Sequence, residues 1–81
     1  MKVTAYFAHV RGRPDRRLIH EAWIGQTMRS PEARHVQSDG RIRLWKRIPE
    51  AEGRWLRVVL LQDEETVHNA FFDRRFKGGQ G

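Results

Sequence analysis

Histidine is the side chain of this 81-residue sequence that is best suited to acid–base chemistry, and the chain contains four. Their reference pKa lies near neutrality, so each can take up or release a proton under physiological conditions. His68 has the most favourable position, on a predicted strand beside arginines, and His9, which precedes an arginine-rich turn with Arg13, is second. His20 and His35 are expected to be solvated surface residues. The spacing of the four is not that of metal ligands, so no metal site is predicted.

The positive charge of the chain is carried mainly by arginine, which accounts for thirteen of the sixteen Lys and Arg residues; the formal net charge is +6. Residues 1–47 hold eleven Lys or Arg against four Asp or Glu, whereas residues 48–81 hold five against six. A guanidinium group is a planar fork of donors that matches phosphate oxygens. The asymmetry therefore favours a polyanionic partner, first of all RNA, although genome composition and solubility explain the arginine content about equally well.

The elements that must position these residues are predicted by the pattern of apolar residues. Residues 2–8 alternate between apolar and polar types, which indicates an extended segment at the edge of a sheet. Pro14 and Asp15 suit the first turn of a helix, and Ser30-Pro31 ends it, so one amphipathic helix is predicted over residues 14–29. Its predicted apolar stripe consists of Leu18, Ile19, Ala22, Trp23 and Gly25.

The remainder of the chain is predicted to form strands. Asp39-Gly40 indicates a type I′ hairpin turn, which needs positive φ at both residues, between strands 34–38 and 41–47. Residues 55–61 predict a central strand and residues 66–72 the last strand. The predicted fold class is α+β, with one helix packed on a four-stranded antiparallel sheet and an N-terminal edge strand. Residues 1–76 are predicted to be a single domain and residues 77–81 a flexible C-terminal tail.

The alternation of side chains along these strands assigns residues to two faces of the sheet. The predicted inner face, on which the helix packs, consists of Ile42, Leu44, Leu56, Val58, Leu60, Val67 and Phe71. The predicted outer face consists of Arg41, Arg43, Trp45, Arg47, Trp55, Arg57, Thr66, His68 and Ala70. If the loops close symmetrically, Trp45 lies opposite Arg57, and Arg43, Val59 and His68 form one row. Asn69 is expected to point towards the helix.

A solvated face that combines arginines, indoles and a histidine is typical of a site for single-stranded nucleic acid, because guanidinium groups hold phosphates and aromatic rings stack on bases. The structural alternative is equally simple. Antiparallel sheets commonly expose one polar face, and Trp45 can pack on the stem of Arg57 for stability alone. The predicted nucleic-acid-binding residues are Arg41, Arg43, Trp45, Arg47, Trp55 and Arg57.

Several classes of protein do not fit the sequence. There is no cysteine for a disulfide or a thiolate site, which favours a reducing, cytoplasmic environment. No apolar run approaches the roughly 20 residues of a membrane span, and residues 1–10 lack the apolar region of a signal peptide. Motifs for nucleotide cofactors or a nucleophilic serine are not found, so no cofactor is predicted.

Four stretches of sequence carry a resemblance to a known family. They are His9…Arg13-Pro14-Asp15-Arg16…Ile19…Trp23-Ile24, then Asp39-Gly40-Arg41, then Leu56-Arg57-Val58-Val59-Leu60, and finally Thr66-Val67-His68-Asn69-Ala70-Phe71-Phe72-Asp73-Arg74. In this order, over nearly the whole chain, the pattern resembles small bacterial proteins related to the RelE/BrnT-type toxins of toxin–antitoxin modules.

The resemblance implies a helix on an antiparallel sheet and metal-independent cleavage of RNA, in which the ribose 2′-hydroxyl attacks the adjacent phosphate. It further implies that His68 is the acid or base and that Arg43, Arg41 and Arg57 stabilise the charge on phosphate. The implied partners are RNA, including messenger RNA on the ribosome, and an antitoxin protein that covers the basic face. Two alternatives stay open: a non-catalytic nucleic-acid-binding module, and a protein-interaction subunit with an acidic partner.

Overall fold

The N-terminal segment differs from its prediction as an edge strand. In the computed structural model, which describes residues 1–78, extended pairing of this segment is confined to Val3, which forms a single parallel bridge to the last strand. The chain then enters helix α1 (Ala5–Val10). The prediction of an extended segment over residues 2–8 is therefore wrong beyond this bridge.

Helix α1 forms because its first turn is capped and one of its sides is buried. The Thr4 hydroxyl accepts a hydrogen bond from the Phe7 amide at 3.1 Å, as an N-cap residue does. Phe7 and Val10, three residues apart, are both buried. Burial at helical spacing outweighs the apparent alternation of the sequence.

The helix predicted over residues 14–29 is two helices, α2 (Pro14–Arg17) and α3 (Glu21–Arg29). Helix α2 contacts the last strand, whereas α3 contacts the two central strands, so the chain has to turn between them. The turn leaves Leu18 69 % exposed, although it was expected in the apolar stripe.

The side of α3 that faces the core also differs in part from the predicted stripe. Ile19 and Trp23 pack against the core as predicted, but Ala22 is exposed and the fully buried residues are Ile24 and Thr27. The Thr27 hydroxyl donates a hydrogen bond to the Trp23 carbonyl at 2.9 Å, which satisfies this buried polar group.

The four-stranded antiparallel sheet is confirmed, with its strands in the order in which they follow along the chain. The second and third strands along the chain lie at the centre of the sheet, which confirms the central position predicted for residues 55–61. A 3₁₀ turn (Pro49–Ala51) connects these two strands. The strands are β1 (Ala33–Val36), β2 (Ile42–Ile48), β3 (Arg54–Leu60) and β4 (Val67–Phe72).

The hairpin between β1 and β2 turns at Asp39-Gly40 as predicted, but through a different turn type. Gly40 has a φ of +89°, whereas Asp39 keeps a negative φ, so the predicted type I′ turn is wrong. The Gly40 amide donates to the Gln37 carbonyl at 2.9 Å, and the Gln37 amide donates to the Arg41 carbonyl at 2.8 Å. This pattern is a three-residue loop with glycine in the left-handed position.

A β-bulge interrupts the pairing of β3 with β4. Val59 pairs with Asn69, but its neighbour Leu60 pairs with Val67, so His68 is an extra residue on β4. The bulge shifts the alternation of β4 by one residue.

The shifted alternation corrects two predicted positions. Ala70 is fully buried against the core, whereas Phe71 pairs with Arg57 and lies on the outer face. The predictions of Ala70 outside and Phe71 inside are therefore wrong, because strict parity cannot anticipate an inserted residue.

The hydrophobic core lies between the inner face of the sheet and the helices. Apart from Phe71, all residues predicted for the inner face belong to this core, which confirms their predicted position. Among residues 1–78, none of the helices combines the length and the apolar character that a membrane crossing requires. The buried cluster consists of Phe7, Val10, Ile24, Ile42, Leu44, Ile48, Ala51, Leu56, Val58, Leu60, Val67 and Ala70.

After β4 the chain turns back over the outer face, and we name residues 73–78 the C-terminal strap. The Asp73 amide donates to the Trp55 carbonyl at 2.8 Å. Gly78 packs so closely that a Cβ on it would lie 2.8 Å from a carbon of the Trp55 ring. Of the tail predicted over residues 77–81, the first two residues belong to this strap, and residues 79–81 lie outside the described part of the chain.

Candidate nucleic-acid interface

The outer face of the sheet carries the arginines and indoles that the alternation predicted. Trp45 lies opposite Arg57, which confirms the predicted pairing, and Arg47 lies opposite Trp55. The guanidinium carbon of Arg57 is 5.4 Å from the centre of the Trp45 ring, and that of Arg47 is 5.7 Å from the centre of Trp55. Each indole therefore has a cation–π contact to the arginine opposite it.

The row of residues that crosses the sheet ends at Asn69 and not at His68. Arg43 pairs with Val59, which pairs with Asn69, so the predicted row of Arg43, Val59 and His68 is wrong. The residues of β4 on either side of this pair, positions 67 and 70, are both buried, and the bulge therefore leaves His68 and Asn69 on the outer side. Asn69 is therefore not on the inner face of the sheet as predicted, although Arg16 of helix α2 reaches it on the outer side. Its Oδ1 accepts a hydrogen bond from Arg16 Nη1 at 3.0 Å.

His68 is held by two residues of the N-terminal segment. Its Nδ1 lies 3.1 Å from Thr4 Oγ1, and the Tyr6 ring stacks on it with centroids 5.0 Å apart. The Thr4 hydroxyl already accepts the Phe7 amide hydrogen, and with two lone pairs and one hydrogen it can still donate to Nδ1 or accept from it. In both arrangements Nδ1 is occupied, which leaves Nε2 for a substrate.

The pKa of His68 is lowered from its ordinary value of 6.5. Partial burial is the main cause, the positive charge of Arg41 lowers the pKa further, and Asp39 opposes both by a smaller amount. The lowered pKa favours the neutral form of the ring. This is the form of histidine that accepts a proton from a reacting group.

The arginines of the outer face differ in how they are held. The Nε of Arg43 donates to a glutamine side chain, Gln37 Oε1, at 2.8 Å. Arg41, 43 % exposed, lies 3.8 Å from the Asp39 carboxylate and belongs to the loop at the end of the hairpin. Arg41 and Arg43 are thus half-buried cations of this face, whereas Arg47 is exposed, so solvent and ligands reach all three.

Arg57 is more enclosed than the other two arginines. Its Nη2 lies 3.0 Å from Asp73 Oδ2, and 23 % of its side chain is exposed. Burial lowers the pKa of Arg57, the Asp73 carboxylate raises it, and the charge of Arg43 lowers it again. Arg43 and Arg57 therefore repel each other across this face, and an anion bound between them would relieve that repulsion.

The indoles are covered by the C-terminal strap. Phe76 stacks on Trp45 with ring centroids 4.6 Å apart and an interplanar angle of 11°, and it meets Trp55 edge-on at 4.9 Å. Trp45 is only 7 % exposed as a result. The prediction of a solvated indole is wrong for Trp45, because the sequence pattern gave no sign that residues after β4 return to the sheet.

We compared the chain with protein-family models, curated protein sequences and solved structures. None of them matches it.

Arg16 joins the interface although the sequence pattern did not indicate it. Its guanidinium carbon lies 5.3 Å from the centre of the Phe71 ring, and its side chain is 15 % exposed. The hydrogen bond from Arg16 to Asn69 joins residues 53 positions apart. Alternation along a strand cannot assign a face to a residue of a helix, so no signal in the sequence indicated this contact.

The second-ranked pair, His9 and Arg13, lies outside the strands. His9 is in the last turn of α1, and Arg13 is the N-cap residue of α2. Both are exposed, and among the described residues neither side chain makes a hydrogen bond or an ion pair. Within residues 1–78 there is no group of three or more His, Asp or Glu side chains close enough to hold a metal ion.

Thr66 and Lys46 have structural roles. Thr66 precedes β4, and its amide and hydroxyl donate to the Asp63 carboxylate. The prediction that Thr66 lies on the outer face of the sheet is therefore wrong. These hydrogen bonds, with one from the Glu65 amide, lower the pKa of Asp63 to about 2. Lys46, which alternates to the inner face, donates to the Ser30 carbonyl after α3 at 3.0 Å.

Proposed function

We propose that this chain binds single-stranded RNA across the outer face of its sheet and cleaves it without a metal ion, as a toxin-like domain of the RelE/BrnT type. One observation carries the proposal. His68 lies on the outer side of the sheet with its Nδ1 held by Thr4, and burial together with the charge of Arg41 lowers its pKa. A fixed base on the same face as cations that can stabilise phosphate charge is what transesterification of RNA requires.

The proposed reaction starts at the ribose 2′-hydroxyl. With Nδ1–H donating to Thr4, Nε2 of His68 has the lone pair that takes the hydroxyl proton. The 2′-oxygen forms a bond to the adjacent phosphorus, and Arg41 and Arg43 stabilise the negative charge of the phosphorane. The bond from phosphorus to the 5′-oxygen then breaks. The imidazolium returns its proton to that oxygen, which gives a 2′,3′-cyclic phosphate and a 5′-hydroxyl.

A non-catalytic RNA-binding module is the second candidate, and the position of the other outer-face histidine favours it. His35 pairs with Arg43 and lies at the β1 edge, whereas His68 lies at the β4 edge. With strands about 4.8 Å apart, the two histidines are separated by roughly 14 Å. They cannot act on the same phosphate as an acid and a base, so His68 has to do both or the face only binds.

An antitoxin is the protein partner that this proposal implies. Its surface would be acidic where it covers Arg41, Arg43 and Arg47, because solvent reaches these cations of the face. If the chain instead selects an acidic protein and has no affinity for RNA, it is a protein-interaction subunit and the proposal is wrong.

The test is a titration of an unstructured, labelled RNA with the full chain, by fluorescence anisotropy, between about 50 and 200 mM salt. Affinity should fall with salt. Replacing Arg41 and Arg43 together by alanine should weaken binding and reduce the salt slope by about 1.4, since a single strand releases roughly 0.7 counterions per neutralised phosphate. The matched control replaces Arg17 and Arg29, which are exposed helical arginines, and removes the same charge.

The outcomes separate the candidates. If the two double variants weaken salt-sensitive binding equally, the net charge of the chain, and not this face, attracts RNA. Binding that is lost only with Arg41 and Arg43, without any cleavage in the presence of a chelator, assigns the chain to the non-catalytic module. Cleavage to a 2′,3′-cyclic phosphate under the same conditions supports the full proposal.

A further inference from the structure

The C-terminal strap, residues 73–78, makes two kinds of contact with the outer face. The first is ionic and lies at its start. Asp73 Oδ2 accepts a hydrogen bond from the Trp45 indole Nε1 at 3.0 Å and lies 3.0 Å from Arg57 Nη2. The Asp73 side chain is only 9 % exposed. An anionic oxygen is thus held between a guanidinium and an indole N–H on an otherwise basic face.

The second contact is aromatic and lies three residues later. The Phe76 ring lies almost parallel to Trp45, with an interplanar angle of 11°, and edge-on to Trp55. Arg47 lies beyond Trp55, with its guanidinium carbon 5.7 Å from the centre of the indole. A planar ring is thus held by two indoles, each of which also contacts an arginine.

Together these contacts are those with which proteins hold one unpaired nucleotide, namely an anionic oxygen on a guanidinium and a flat ring on an indole. We propose that the surface under the strap, formed by Trp45, Trp55 and Arg57, is a binding site for an unpaired nucleotide of RNA. The base takes the place of the Phe76 ring, and a phosphate takes the place of the Asp73 carboxylate. The inference rests on the proposed function and assigns the base-binding part of that interface.

Two features of the strap would favour its replacement by RNA. Arg74, Arg75 and Lys77 are exposed cations in it, and they attract the polyanion that would replace it. A cleft of about 660 Å³ lies beside the strap, lined by Phe76 and Trp55 and, on its far side, by Leu18 and Arg16. The ring can therefore swing off Trp45 without any change in the pairing of the strands.

The experiment compares two full-chain variants at one position. Phe76→Ala removes the ring that covers the indoles, and Phe76→Trp keeps a stacking ring as a matched control. We expect Phe76→Ala to bind a short unstructured RNA about 5- to 150-fold more tightly than the parent, the fold-change that one uncovered base-stacking contact gives. Phe76→Trp should bind like the parent. An abasic strand of the same length and charge should show no gain with either variant.

A second measurement uses the parent chain and does not depend on how the variants fold. The indole N–H signals of Trp45 and Trp55 in an NMR spectrum should shift when RNA saturates the protein, because the hydrogen bond from Trp45 to Asp73 is exchanged for one to phosphate. The Trp23 signal should stay in place, since that ring packs against Phe72 on the opposite side of the sheet.

Each outcome bears on one claim. If RNA binds but the Trp45 and Trp55 signals do not move and a folded Phe76→Ala gains no affinity, the strap is a permanent part of the core. The base site is then overturned, while RNA binding through Arg41 and Arg43 stands. If neither the parent nor any variant binds RNA, the proposed function and this inference fall together. A gain that is equally large for the abasic strand would show that only charge was uncovered, and it too overturns the base site.

Discussion

At the scale of single residues, the position of His68 decides whether this face can do more than bind. The bulge turns it outward, Thr4 fixes one ring nitrogen, and Tyr6 covers one side of the ring. If the chain cleaves RNA, we expect His68→Ala to slow cleavage roughly 10²- to 10⁴-fold, which is the usual contribution of one positioned acid or base. Single-turnover cleavage of a mixed-sequence RNA, with a chelator present, measures it.

The control for this prediction is His20→Ala, because His20 is exposed at the start of α3 and contacts Trp23. It should leave the rate nearly unchanged. A base has to be neutral, so the rate should rise as pH increases through the lowered pKa of His68 and level off above 6.5. Equal rates for His68→Ala and the parent, or a rise centred well above pH 6.5, would remove His68 from the mechanism.

At the scale of elements, Gly25 in helix α3 and Gly40 in the hairpin turn differ in whether the structure has room for a side chain at that position. A Cβ on Gly25 in α3 would meet only the flexible end of Arg29, at 3.1 Å. Gly25→Ala should therefore raise the free energy of unfolding by about 0.5–1 kcal/mol, because alanine loses less backbone entropy in a helix. Urea unfolding followed by circular dichroism measures the change.

Gly40→Ala is the opposite case in the same assay. Gly40 has a φ of +89°, and a Cβ there would collide with the Gln62 side chain, which donates to the Asp39 carbonyl. We expect a loss of about 1–2 kcal/mol, the cost of a left-handed conformation for a residue with a side chain. A neutral effect at Gly40 would mean that the hairpin takes up another turn type without penalty.

At the scale of the whole molecule, stability depends on a single small core. A domain of this length has a free energy of unfolding of about 4–12 kcal/mol, at roughly 0.05–0.15 kcal/mol per residue. Leu56 is fully buried at the centre of the sheet. Leu56→Ala should cost about 2–5 kcal/mol through lost burial and the cavity left behind, and should leave part of the population unfolded at 37 °C.

Leu18→Ala is the matched control, since Leu18 is 69 % exposed and loses the same atoms. Its effect should stay within about 0.5 kcal/mol, as is usual for surface positions. Chemical denaturation of both variants gives the comparison. Similar losses for the two would mean that Leu18 is buried in solution, for instance against a second molecule.

The sequence alone determined the number, order and antiparallel pairing of the strands. Alternation with a period of two, together with the Asp39-Gly40 signal, predicted all four strands, because these features depend on neighbours along the chain. Symmetric closure of the loops predicted the pairing of Trp45 with Arg57. The same alternation predicted that Arg43 and His68 lie on the outer face. Their roles in binding and cleavage stay predictions.

Only the tertiary structure decided how this face is completed. The contacts that do so join residues far apart in sequence: Thr4 and His68 are separated by 64 positions, and Trp45 and Asp73 by 28. The bulge at His68, the break between α2 and α3, and the return of the strap all depend on such contacts. The periodicity of the sequence does not predict these contacts, because the energy that stabilises each contact comes from packing that exists only after the chain has folded.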